Sequence, residues 1–240
     1  MKGYRIQKKI IDEIESVAEN NNNSRSTVDD EIDILKYVRS NDKDDIPILD
    51  GEKMIEDWFP KKKDKQVFIS HSHEDEKTAK KLSRYLAQKN FDCFIDSEVW
   101  GSCNNLIKKI NDKYNVTDNY YYGKKLYFYE GTLKVESGIY LMLTTAINKV
   151  ISTCPIFIFI ESENSIQESI TYSPWIMEEL NTYELLRRKY CTLCDSRNDI
   201  KKYHTPNVEI SYKVDSILSN MEEIKNQNDI NDIKKFFKIS

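Results

Sequence analysis

The stretch "SPWIMEEL" at residues 173–180 places an indole, Trp175, four positions before a carboxylate, Glu179. On a helix that spacing puts both side chains on one face, while Ile176, Leu180 and Tyr183 form the neighbouring stripe that packs on a sheet. Ser173 is a good N-cap and Pro174, with no N–H to lose, suits the first helical position. A capping box would need Glu or Gln where Ile176 stands, so capping accounts for neither Glu178 nor Glu179. On an arbitrary helix both Glu178 and Glu179 read as solvated surface acids with Trp175 in the core; the position of this helix beside a strand's carboxyl end singles out Glu179 and leaves Glu178 a bystander. A lone carboxylate beside a flat ring suits cleavage of the nicotinamide–ribose bond of NAD. The nicotinamide is already a pyridinium cation and departs neutral, so no general acid is needed. One carboxylate can hold the ribose hydroxyls and stabilise the oxocarbenium-like transition state, and an aromatic ring can stack on a base. Glycoside hydrolysis, by contrast, usually takes two carboxyl groups.

Other constellations are weaker. "HSHED" at 71–75 imitates the start of a dinuclear metal site, but only His204 remains as a further imidazole, so no metal is expected. His71, Ser72 and His73 read instead as polar residues lining a crevice. Cys191 and Cys194 form a C-x-x-C with no second pair, which reads as incidental thiols rather than structural zinc. No glycine-rich phosphate loop is present, which argues against a dehydrogenase or a P-loop NTPase. Tyrosines at 120–122, 127 and 129 mix with Lys124 and Lys125 in a way that could stack on bases, but a half-buried hairpin with aromatic cross-strand pairs is the favoured reading.

These residues need elements to hold them. The chain has 240 residues, is 39% hydrophobic and carries a net charge of -4, which suits a globular protein and gives no general pull toward nucleic acid or membrane. Neither is expected as a partner. The longest strongly apolar run, "CPIFIFI", is too short to span a bilayer, the first residues lack a signal-peptide core, and five cysteines fit reduced thiols, so a cytoplasmic location is expected.

Residues 1–63 read as a helical N-terminal extension ending in the linker "PKKKDK". From residue 66 strands alternate with helices: "QVFIS", then a helix through Ala79, Leu82 and Leu86, then "FDCFID", helices over "NNLIKKINDKY" and "GIYLMLTTAINKVIS", and the strand "CPIFIFI". The helix after Ser173 follows, then a strand near 208–215 and a closing helix over 216–240. Such alternation predicts an α/β fold, a doubly wound parallel sheet with helices on both faces. Ligands sit beyond the carboxyl ends of such strands. "SHSHEDE", "DSEVWG" and "ESENSIQESITYSPW" occupy those ends.

The set "VFISHSHEDEKTAKKLSRYLAQKNFDCFIDSEVWG", followed by an apolar strand and S-x-W-x-x-x-E-L, resembles the Toll/interleukin-1 receptor (TIR) domain in its bacterial forms. The resemblance covers about residues 66–190 and extends toward 208–215. It implies a flavodoxin-like TIR fold over 64–215, with 115–138 as an insertion. It also implies that Glu179 is the catalytic glutamate of an NAD+ glycohydrolase or cyclase giving ADP-ribose or a cyclic or conjugated signalling nucleotide. The family's usual Cys is Ile176 here. His71, Ser72, His73, Asp96, Trp100, Ser173 and Trp175 would bind substrate, with no cofactor beyond NAD+ as substrate. The implied setting is antiphage defence of the Thoeris kind. The implied partners are further copies through TIR surfaces, a phage-derived trigger and a nucleotide-activated effector. The alternatives are a non-enzymatic TIR scaffold and a nucleoside deoxyribosyltransferase-like enzyme.

Overall fold

The computed structural model describes residues 1–14, 34–39, 48–58, 65–97, 103–188 and 210–232. In chain order these form β1 (Lys2–Gln7), α1 (Lys8–Asp12), a 3-10 turn (Ile34–Tyr37), β2 (Val38–Arg39), β3 (Ile48–Leu49), α2 (Gly51–Trp58) and β4 (Val67–Ser70). A second 3-10 turn (His73–Asp75) leads into α3 (Glu76–Ala87), β5 (Cys93–Ile95), α4 (Cys103–Tyr114), β6 (Val116–Tyr121), β7 (Lys124–Tyr127) and α5 (Tyr129–Thr153). There follow β8 (Ile156–Glu161), β9 (Ile170–Thr171), α6 (Pro174–Arg188), β10 (Tyr212–Lys213), α7 (Asp215–Leu218), β11 (Glu222–Ile224) and α8 (Gln227–Asp232). The chain divides into two compact units: one takes its described residues from 1–20, 64–95 and 150–240, the other from 21–63 and 96–149.

The first unit is built on a five-stranded parallel sheet in the order β11-β1-β8-β4-β5. All four residues of β4 and the first five of β8 are buried, as expected for strands covered on both sides. One face carries Val67, Ile69, Ile156, Ile158, Ile160, Tyr4 and Ile6, which join Ile10 and Ile11 of α1, Ala79, Leu82 and Leu86 of α3 and Ile230 of α8 in one core. The other carries a ladder of rings, with Phe68 stacked on Phe94 and on Phe157, and Phe157 stacked on Tyr183 of α6. Reading β5, β4 and β8 as the first three places of a flavodoxin-like sheet leaves the fourth place to β1 and the fifth to β11, a parallel arrangement compatible with that fold in space. In the chain, however, β1 precedes β4, β5 and β8, where the fourth strand of that order follows the third.

The expectation of a parallel sheet with helices on both faces is met, but two strands come from unexpected places. The first residues, read as part of a helical extension, form β1, an inner strand paired to β8 on one side and β11 on the other. Helix begins only at Lys8, because "KGYRIQ" alternates and buries Tyr4 and Ile6 on one face. Gly51–Trp58 is helical as expected, whereas 15–33, 40–47 and 59–64 lie outside the described residues.

The closing helix over 216–240 is interrupted by β11. Leu218, Met221 and Ile224 imitate a helical stripe, yet Glu222 and Glu223 lie beside Lys2 and Arg5 of the neighbouring strand, with ion-pair distances of 2.8 and 3.3 Å. The strand expected near 208–215 shrinks to β10, which pairs antiparallel with β9 outside the sheet.

In the second unit, the segment 115–138 is a hairpin of β6 and β7 followed by the start of α5. The favoured picture of a half-buried hairpin with aromatic cross-strand pairs does not hold. Tyr120, Tyr121 and Tyr122 are exposed, and Tyr120 and Tyr121 lie opposite Lys125 and Lys124. Among the described residues, no helix is long and apolar enough to cross a membrane.

Candidate active site

Helix α6 starts as its sequence dictates. The backbone N–H of Ile176 donates to Ser173 Oγ at 3.3 Å, Met177 N–H donates to Ser173 O at 3.1 Å, and Pro174 is the first helical residue. Ser173 is therefore occupied as the cap. The cap fixes the phase of the helix, so Ile176, Glu179, Leu180 and Tyr183 are all buried and Trp175 is half-buried.

Glu179 is only 2% exposed. Its Oε2 accepts a hydrogen bond of 2.5 Å from the hydroxyl of Ser70, which is itself fully buried at the carboxyl end of β4. That length belongs to strong hydroxyl–carboxylate bonds. The bond sits where strand polarity puts ligands in open α/β sheets, on the ring-lined face under α6. Glu178, one residue earlier, is half-buried, and the bond to Ser70 belongs to Glu179.

A second polar cluster joins the carboxyl ends of β1, β4 and β8. Asp75, 1% exposed, accepts from Ser162 Oγ and, at 3.2 Å, from Asn164 Nδ2. The Ser162 hydroxyl also accepts from the backbone N–H groups of Asn164 and Ser165, each at 3.2 Å. Lys8, just past β1, donates to Thr78 Oγ1 at 2.6 Å and lies 3.8 Å from Asp75 Oδ1. A carboxylate buried this deeply needs such donors to offset its lost hydration. The cluster fixes the loop after β8, which leads to α6.

The expected site residues separate accordingly. His71 is buried, with Nδ1 3.3 Å from the Ile69 carbonyl oxygen. Ser72 caps the short turn that follows, accepting from Glu74 N–H, and His73 is exposed. Asp96 follows β5 and belongs to the second unit. Trp100 lies outside the described residues, as do Cys191, Cys194 and His204. Among the described residues no group of His, Cys, Asp and Glu is placed to hold a metal ion, Asp75 being committed to serine, asparagine and lysine. The chain matches no protein-family model, no curated protein and no solved structure.

Ser70, Lys8, Thr78, Ser162 and Asn164 were not singled out by sequence. Ser70 had a signal: a hydroxyl closing the buried run "VFI" must find a partner. The second unit holds an open groove of about 470 Å³ lined by Leu49, Ile55, Leu141 and Met142, with the Arg39–Asp50 ion pair at its edge; Glu179 is not part of it.

Proposed function

We propose that this protein is a bacterial-type TIR enzyme that cleaves the nicotinamide–ribose bond of NAD+. The supporting observation is the hydrogen bond between Ser70 and Glu179, which holds a single carboxylate at a strand carboxyl end in the position the sequence resemblance assigns to the catalytic glutamate. In the reaction the C1′–N bond breaks and its electron pair leaves with nicotinamide, which becomes neutral. The Glu179 carboxylate stabilises the ribosyl cation. Water, or a nucleophile of the same or another nucleotide, then attacks C1′ and loses a proton, giving ADP-ribose or a cyclic or conjugated product. Trp175 shapes the pocket beside the nicotinamide ribose.

Burial of Glu179 adds a condition. At 2% exposure the carboxylate meets substrate only after neighbouring side chains shift, which fits an enzyme that is silent alone and active on self-association. In a defence setting a phage-derived trigger drives that assembly, and the product nucleotide activates a separate effector. The same burial favours a second reading, a TIR scaffold in which Glu179 only fastens α6 to β4.

The deciding experiment incubates concentrated protein with NAD+, with and without Glu179→Gln, and follows nucleotides by mass spectrometry. Nicotinamide release abolished by the substitution is expected. Turnover that survives it overturns the mechanism, and absence of turnover under every assembly condition favours the scaffold.

A further inference from the structure

The hairpin of the second unit presents rings and cations together. Tyr120, Tyr121 and Tyr122 are 65%, 64% and 88% exposed, far more than cross-strand packing would leave them. Residues directly opposite in an antiparallel pair have Cβ atoms about 5 Å apart. Tyr120 sits opposite Lys125 and Tyr121 opposite Lys124, so each face of the ribbon carries one ring with one ammonium beside it. In the same unit, α4 exposes Lys108, Lys109 and Lys113. Residues 103–149 hold seven lysines and four acids, a local positive balance within a chain of net charge -4.

The turn adds an independent sign. Tyr122 and Gly123 join the strands with φ of +47° and +72°, the two-residue turn that prefers Asn-Gly. A bulky residue in the left-handed region is strained, so Tyr122 is a poor choice for the turn and holds an 88% exposed ring at its tip.

We infer that this hairpin binds single-stranded nucleic acid, bases stacking on the tyrosines and phosphates pairing with Lys124, Lys125 and the lysines of α4. Lys125 also reaches Asp112 at 3.5 Å, an ion pair with which a phosphate would compete. Base stacking needs accessible ring faces. Tyr121 and Tyr122 pack edge to face at 4.5 Å between centroids, which covers one face of the pair and leaves the outer faces and Tyr120 open, and Lys124 and Lys125 supply cations beside them. A flexible single strand can wrap the ribbon edge and meet a ring and a cation on each face, whereas a planar anionic bilayer meets only one face at a time.

Anisotropy of fluorescein-labelled oligothymidine and oligouridine with the full chain tests the assignment, from about 50 to about 200 mM salt. Binding to one or both single strands is expected, with duplex DNA weaker. Tyr122→Asn should relieve the turn and leave the melting temperature equal or higher while weakening binding about tenfold; Tyr121→Ala should weaken it similarly and Tyr121→Phe should not. Replacing Lys124 and Lys125 together by Ala should flatten the log–log salt dependence by about 1.4, roughly 0.7 for each phosphate no longer neutralised. No binding at the lowest salt, binding indifferent to these substitutions, or hairpin-dependent binding to phosphatidylserine vesicles without oligonucleotide binding would each overturn it.

Discussion

The ring of Tyr183 occupies the space that a side chain at position 3 would need. A Cβ built on Gly3 would lie 2.3 Å from the ring's Cζ. Because that ring is buried and stacked on Phe157, it cannot swing aside cheaply. Gly3→Ala is expected to cost about 1–3 kcal/mol, as overpacking of a filled core does, lowering the urea midpoint. Since Tyr183 lies one turn beyond Glu179 on α6, the NAD+ turnover proposed for that glutamate should fall as well. An unchanged midpoint would show that the helix is free to shift.

The Ser70–Glu179 pair can be weighed separately from catalysis. Ser70→Ala leaves a buried carboxylate with one donor fewer and should destabilise the fold by about 1–3 kcal/mol, whereas combining it with Glu179→Leu should cost less than the sum of the two single changes. Additive effects in a double-mutant cycle would show that the pair is not coupled.

Asp75 organises the loop after β8, so Asp75→Ala should raise amide hydrogen exchange at Asn164 and Ser165, whose N–H groups rest on the Ser162 hydroxyl. Lys8→Met should have a smaller effect, because its side chain is 39% exposed and water screens the ion pair. Equal exchange in both variants would remove Asp75 from this role.

Burial pushes the Cys93 thiol up to about 12 and the Cys154 thiol up to about 11. Both pKa values are raised in the folded state, so their contribution to stability is fully present at neutral pH. Above about pH 8.5 the unfolded thiols ionise while the folded ones hold their protons, and stability falls by about 1.4 kcal/mol per pH unit for each group until the folded values are reached. Urea midpoints should drop between about pH 8.5 and 9.5, less so in Cys93→Ala. A drop of the same size in the variant would exclude Cys93 as a source.

Local signals were legible in the sequence. The cap formed by Ser173 and Pro174, the strands "VFIS" and "CPIFIFI", and the helix through Leu82 all follow from neighbours a few residues away. What was not legible depends on distant partners. The acidic "EEI" is a strand through its pairing with β1 and the burial of Ile224, with Lys2 and Arg5 alongside its glutamates, and Ser70 acquires a role only from a glutamate 109 residues later. The segment 115–138 read only as an inserted loop or hairpin, because its patterning is too irregular to place strands, and a run of tyrosines does not say whether anything covers them.

The place of β1 between β8 and β11 also sets a timetable. Strand β1 must wait for Ile156 and the rest of β8, far behind it in the chain, and its outer neighbour arrives only with Glu222. Pairings of such long separation form late and slowly. The nascent chain therefore cannot close its sheet while residues 222–224 are still untranslated, nor seat Tyr183 against Gly3 before α6 emerges. The contact between Ser70 and Glu179 likewise stays unmade until α6 has emerged, so the candidate site is among the last parts of the sheet's surroundings to assemble.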